Sequence, residues 1–287
     1  MLLFTLTLLA CSGHRRVEQQ LLSKADSAMS VGDYRKAVDC YKAIDTIDLT
    51  DTDLRQRAIR LRRQAKWMLN MQTLDSLDAA RREANATISR IGSSFLLFEN
   101  KEYGIRPSFA RLALSAKANT AKSHLRLVTD STGVVTLTSV YVGRKPIRHT
   151  ALLLRDRESG QTFFSAQIPY DEALNYRYAT SDLYYELVNY PSSIADSLAT
   201  FVRSIVRLRH TMEAVLLDAS SRELPVAWSY STKQLTDFVD TFALAEAYAC
   251  EQRMDSSIAM LRSENRYLLS TGHVDTTQLV IPRKKRR

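Results

Sequence analysis

The apolar residues of this 287-residue chain first change their period close to Gly92. Before Gly92 they recur at three and four, as on one face of a helix. From Phe95 they tend towards a period of two, as on one face of a strand. One stretch cannot serve both periods, so the chain is expected to be α+β. The predicted architecture is an N-terminal helical hairpin and long helix, then a central antiparallel β-sheet domain, then C-terminal helices.

In the helical part, Leu21, Leu22, Ala25, Ala28 and Met29 form an apolar stripe over residues 17–31. Gly32 interrupts it and Asp33 can cap a second helix with Tyr34, Ala37, Val38, Tyr41 and Ile44 on one face. The run Gly32-Asp33-Tyr34-Arg35-Lys36-Ala37-Val38-Asp39-Cys40-Tyr41 resembles the core of a tetratricopeptide repeat. The resemblance covers about one repeat, and one repeat cannot bury its own face. Either residues 53–91 supply the missing surface or the match describes a generic helical hairpin. After capping residues at 48–53, a long helix is expected from Leu54 to Ile91. Leu54, Ala58, Leu61, Ala65 and Met68 keep heptad spacing, but Asp75 and Arg81 interrupt the seam. That favours a helix packed on its own N-terminal hairpin over a long coiled coil. The basic run Arg55, Arg57, Arg60, Arg62, Arg63 and Lys66 is expected as a solvated face.

Alternating and β-branched runs predict strands at 124–128, 134–142, 150–154, 162–168 and 183–188. Their short connections predict an antiparallel meander. A helix follows at 193–207, then a hairpin at 212–217 and 225–230. Two C-terminal helices are expected, from Thr232 to about Cys250 and from Asp255 or Ser256 to about Leu269. The domain plan is therefore a signal peptide at 1–10, a tether at 11–16 and a helical region at 17–92. A β-rich domain with one helix follows at 93–230, then C-terminal helices at 231–269 and a basic tail at 270–287.

The front of the chain bears on location. Residues 2–10 carry no charge, and at about 1.5 Å per residue they reach only halfway across a hydrocarbon core. They suit the apolar region of a secretory signal. Leu8-Leu9-Ala10-Cys11 resembles the lipobox of bacterial lipoprotein precursors, with Ser12-Gly13 as a small tether. The resemblance implies cleavage before Cys11, acylation of that residue, and anchoring on the periplasmic side of the inner or outer membrane. Such signals usually begin with Lys or Arg, which is missing here. The competing expectation is an apolar N-terminus packed in a cytosolic core with Cys11 as an ordinary thiol. The segment Leu137 to Gly143, with Pro146-Ile147 and His149-Thr150, resembles a strand–turn–strand of uncharacterised lipoproteins from Gram-negative bacteria. That family implies architecture and compartment, not activity.

Charge sharpens the picture. The net charge of +9 is concentrated at Arg15-Arg16 and at Arg283-Lys284-Lys285-Arg286-Arg287, and the body between carries only +2. The basic ends suit anionic headgroups or solvent, and no nucleic-acid partner is expected. Cys40 and Cys250 are expected as buried thiols or as a bridge. His14, His124, His149, His210 and His273 are scattered, so no metal or other cofactor is expected.

No hydrolase, metalloprotease or phosphate-loop motif occurs. Ser139 and His149 lie on neighbouring predicted strands with Asp130 nearby, a trio without an elbow or oxyanion signature. Asp171-Glu172 are adjacent carboxylates, expected to point apart in a loop. Six tyrosines fall between 170 and 190, and Tyr176, Tyr178 and Tyr184 are the candidate binding residues. The expectation is a non-catalytic, membrane-anchored envelope lipoprotein held by acylated Cys11 and acting as a protein-interaction or scaffold module for an envelope protein partner. The alternative is a cell-wall or glycan-binding lipoprotein that uses the tyrosine-rich strands.

Overall fold

The computed structural model describes residues 3–47, 52–100, 105–270 and 274. The Cys11 side chain, part of the 48–53 capping segment and nearly all of the expected basic tail lie outside the described residues. The architecture is α+β, as the change of period predicts. The chain forms two compact units, residues 1–80 with 254–287, and residues 81–253.

The first unit is helical. Helix α1 (Leu3–Ser30) and helix α2 (Tyr34–Asp45) form a hairpin. Gly32 takes φ +80°, and Asp33 donates its N–H to the Ala28 carbonyl while its side chain accepts from the Lys36 N–H. A left-handed turn residue followed by a capping acid is what this turn needs. Helix α3 (Thr52–Gly92) lays the first half of its heptad stripe on the hairpin: Ala58 and Ala65 are buried with Ala25, Ala28, Ala37, Tyr41 and Ile44. The third helix thus covers the face that one hairpin cannot bury. The end of helix α5 (Thr232–Ser270) adds Leu268 to a cluster with Tyr34, Trp67 and Met68. Nearby, Asn70 donates to Glu264 Oε2 at 2.9 Å and to Asn265 Oδ1 at 3.0 Å.

α1 begins at Leu3 and runs through residues 11–16. One expectation needs correction here. The two expected C-terminal helices are one, α5, because residues 251–256 contain neither Gly nor Pro. Met254 and Ile258 are buried on either side of Asp255 and Ser256, so these capping types sit within a continuous helix.

The second unit contains two antiparallel sheets. Its strands are β1 (Phe95–Asn100), β2 (Ile105–Arg111), β3 (His124–Asp130), β4 (Val135–Gly143) and β5 (Ala151–Asp156). They continue as β6 (Thr162–Phe164), β7 (Asn175–Ala179), β8 (Tyr184–Asn189), β9 (Met212–Leu217) and β10 (Glu223–Tyr230). Helix α4 (Ala195–Leu208) precedes β9. The six-stranded sheet has the order β1-β2-β3-β4-β8-β7 and the four-stranded sheet β10-β9-β5-β6. The pairing is antiparallel throughout, but the chain switches sheets after β4, β6 and β8, so a single meander is not what forms. The reason is visible in β5. Its run Ala151-Leu152-Leu153-Leu154 is apolar on both faces and buried on both, which suits the interior of a second sheet. Leu125, Leu127, Leu137 and Val188 pack with Leu152, Leu154, Leu216, Val202, Ile205 and Phe238 in one core.

Helix α5 approaches the β3–β4 turn closely. Gly133 has φ +84°, and a Cβ there would lie 2.4 Å from the Ala245 carbonyl oxygen. Cys40 and Cys250 are both free and half-buried. No helix among the described residues is long and apolar enough to cross a membrane.

Candidate functional site

The structure brings Ser139 and His149 together. Ser139 Oγ lies 3.0 Å from His149 Nε2, and His149 Nδ1 lies 3.0 Å from Glu186 Oε2. The acid is therefore Glu186 from β8, not Asp130. Asp130 instead closes the β3–β4 turn, accepting from the Thr132 and Val134 N–H groups and the Thr132 hydroxyl. Glu186 also accepts from the backbone N–H groups of Ile147 and Arg148 at 2.8 Å and of His149 at 3.0 Å. Arg148 takes φ +59°, which turns these successive N–H groups onto one carboxylate. Burial pushes the Glu186 carboxyl up, but the His149 ring and these backbone donors outweigh it and hold it below its ordinary range.

The order serine, Nε2, Nδ1, carboxylate is that of an acyl-transfer triad. The surroundings are not. Ser139 and His149 are 0 % exposed and Glu186 1 %. Ser139 sits mid-strand, with β3 on one side at Leu125 and β8 on the other at Val188. Its hydroxyl is shared with Tyr190 at 2.8 Å. Burial raises the Tyr190 hydroxyl far above the ordinary phenol value, so it stays protonated. Asn175 donates to the His149 and Ile168 carbonyls. The geometry is a buried polar staple in which the serine, the imidazole, the carboxylate and the Tyr190 hydroxyl are spent on one another and on nearby backbone N–H groups, while the Asn175 side-chain oxygen is buried without a partner among the described residues. It joins β4 and β8 of one sheet to the residues that enter β5 of the other.

A second cluster was not legible in the sequence. Asp156, Glu158 and His210 place ligand-type atoms within 4.8 Å of one another. His210 Nδ1 is 2.9 Å from Asp156 Oδ2, and Asp156 also accepts from the Glu158 and Ser159 N–H groups and the Ser159 hydroxyl. Glu158 accepts from the Thr211 N–H and hydroxyl. Burial pushes the Asp156 carboxyl up, but His210 and the Ser159 and Glu158 donors hold it at about 2. The oxygens are thus occupied by protein donors, and the cluster fastens the β5–β6 turn to the α4–β9 corner. Asp171 accepts from the Ala173, Leu174 and Asn175 N–H groups as a loop acid, and Glu172 takes the Tyr170 hydroxyl.

The tyrosines divide between the two faces of the six-stranded sheet. On its outer face, register places Arg126, Thr138 and Asn189 in one row, His124, Val140, Leu187 and Tyr176 in the next, and Val142, Tyr185 and Tyr178 in the third. Tyr176 and Tyr178 therefore share a face, as their spacing of two requires. Tyr184 does not join them; it points to the opposite face, with Glu186 and Val188. Its place is taken by Tyr185, whose ring stacks on Tyr178 at 4.8 Å and 7°. Tyr178 is 49 % exposed. Thr138 donates to Asn189 Oδ1 at 2.7 Å, and the Arg126 guanidinium lies 3.4 Å from the Thr138 hydroxyl. Burial, opposed by the Lys122 carbonyl and reinforced by Arg126, lowers the His124 imidazole below its ordinary value. No carboxylate stands in these three rows.

No protein-family model, no curated protein and no solved structure matches the chain.

Proposed function

We propose that the chain is a non-catalytic binding module of the cell envelope, held at a membrane by acylated Cys11, that scaffolds a protein partner. The observation that carries the binding role is the outer face of the six-stranded sheet. It offers Tyr176, Tyr178 and Tyr185 beside Arg126, residue types that dominate protein contact surfaces. The anchor rests on the order of apolar run, Ala10, Cys11 and small polar residues. Against chemistry at Ser139 stands its burial beneath Tyr190 and His149.

Two measurements test this reading. The intact mass of the membrane-extracted protein, beside a Cys11→Ser variant, is expected to show loss of residues 1–10 and gain of acyl chains only in the former. Affinity capture from detergent-solubilised envelope is expected to recover a partner whose yield falls at least tenfold for Tyr178→Ala. Equal yield for wild type and variant would reject the tyrosine face.

A second reading, a glycan-binding lipoprotein, is favoured by the parallel Tyr178 and Tyr185 rings, since aromatic faces pack against sugar rings. Co-sedimentation with purified peptidoglycan or polysaccharide, lost in Tyr176→Ala and Tyr178→Ala, would select it over the first.

A further inference from the structure

In the first unit, α2, α3 and the end of α5 enclose an open slot of about 420 Å³, lined by Val38, Lys42, Arg62, Arg63, Lys66 and Leu268. Four of these six side chains are cationic, yet the exposed wall is almost wholly carbon. The long stems of Lys and Arg line the slot with Val38 and Leu268, and their charged ends contribute almost nothing to its wall. Arg62 pairs with Asp45 at 2.8 Å and Lys66 with Glu264 at 3.5 Å. Among the described residues, Lys42 and Arg63 have no acidic partner. The slot therefore combines a carbon wall with two side chains, Lys42 and Arg63, whose charges no acid compensates.

We infer that this slot binds a single fatty acyl chain with an anionic head, as in a free fatty acid. The chain lies against Val38 and Leu268, and the carboxylate is held by Lys42 and Arg63. Three features select this occupant. A compact oxyanion such as phosphate would leave the carbon wall unused. An extended peptide would bring a row of N–H and C=O groups to walls made of helices, whose own backbone groups are already paired, and would bury them unsatisfied. A helical peptide, about 10–12 Å across with its side chains, needs more than the slot's 420 Å³ for even two turns. An acyl chain has no polar group to satisfy along its length, and its head matches the charge. The site is independent of the tyrosine face and of the Cys11 anchor, so either could fail without touching it.

The test is a fluorescence titration of the full-length Cys11→Ser chain, which needs no detergent, with cis-parinaric acid, a fatty acid that brightens in apolar surroundings. Saturable binding of one probe per chain is expected. Lys42→Glu and Arg63→Glu are each expected to weaken it at least tenfold, and Val38→Trp, which fills the slot, to abolish it while the helical circular dichroism is retained. Lys42→Gln is the fallback should charge reversal disturb folding. Arg60→Glu, an exposed cation outside the slot, is expected to leave binding unchanged. Sodium laurate should displace the probe and inorganic phosphate should not. No saturable binding, equal loss in Arg60→Glu, displacement by phosphate alone, or indifference to both Lys42 and Arg63 variants would each overturn the proposal.

Discussion

His149 reaches one oxygen of Glu186 twice, from its backbone N–H and from Nδ1, each at 3.0 Å. The first contact fixes the entry to β5 and the second fixes the ring, so one carboxylate sets both the chain path and the side chain. Glu186→Gln keeps the shape but loses the charge, and it forces an amide N–H₂ against donors. It is expected to cost about 3 kcal/mol, measured as a shift in the urea midpoint. The pH dependence follows from the depressed carboxyl. Its contribution is complete above the ordinary value of 4.5 and is lost as pH falls below that through the folded value. Wild type should therefore show an acid loss of stability in this window that Glu186→Gln lacks.

Ser139→Ala separates the structural role of the serine from a chemical one. Removing the hydroxyl leaves the Tyr190 hydroxyl and His149 Nε2 without their shared partner in a dry core, at an expected cost of about 1–3 kcal/mol. A serine-directed fluorophosphonate should leave the native chain unlabelled at Ser139. Labelling at that residue, or a neutral Ser139→Ala substitution, would mean that the staple opens.

Asp156→Asn tests the corner lock. The folded value of about 2 lies below the ordinary 3.8, so the stabilisation is whole above 3.8 and is lost as pH falls from there through 2. The variant is expected to lose about 2–3 kcal/mol at neutral pH and to have a flatter acid limb. Thermal unfolding followed over that pH range reads both.

Gly133 and Gly160 both have positive φ, but only Gly133 faces a helix backbone. Gly160→Ala is expected to cost about 1 kcal/mol for its conformation alone. Gly133→Ala adds the collision with Ala245 and should cost at least about 2 kcal/mol more. Parallel urea titrations of the two variants give the difference directly, and equal costs would mean that α5 can yield at this point.

Asn70 is buried and holds Asn265 across the first unit. Asn70→Ala strands the Asn265 carbonyl oxygen and is expected to lower stability by about 1–3 kcal/mol. Paired with Asn265→Ala, the two losses should fall short of additive by about 1 kcal/mol. Additivity within error would show that the contact contributes nothing.

The sequence carried the helices and most strands because their periods are local properties. The heptad at Ala58, Leu61 and Ala65, the Gly32-Asp33 turn and the runs at β3, β4 and β9 each announce themselves within a dozen residues. β1, β2 and β7 did not, because their runs lack a clean alternation: Phe95 to Phe98 is apolar throughout, β2 contains Pro107, and β7 has only five residues. The staple was half legible. Ser139 and His149 are close in sequence, but Glu186 is 37 residues from His149 and becomes its partner only once the strand order β4-β8 is known. The same register decides Tyr184 against Tyr185, because a one-residue shift moves a side chain to the other face. The slot beside Lys42 and Arg63 shows in the sequence only as a basic stripe, since Leu268 joins Val38 and Arg63 only through the return of α5.

That return sets an order of events during synthesis. The first unit is written in two pieces of sequence, and the second, residues 81–253, lies uninterrupted between them. Trp67 and Met68 share their buried cluster with Leu268, about two hundred residues further on. A chain emerging from its N-terminus can finish the strand-rich middle first, while part of its leading helices still waits for its cover. The hairpin's own stripe is covered early by α3, and the cluster of Tyr34, Trp67 and Met68 is the part of the first unit that closes last.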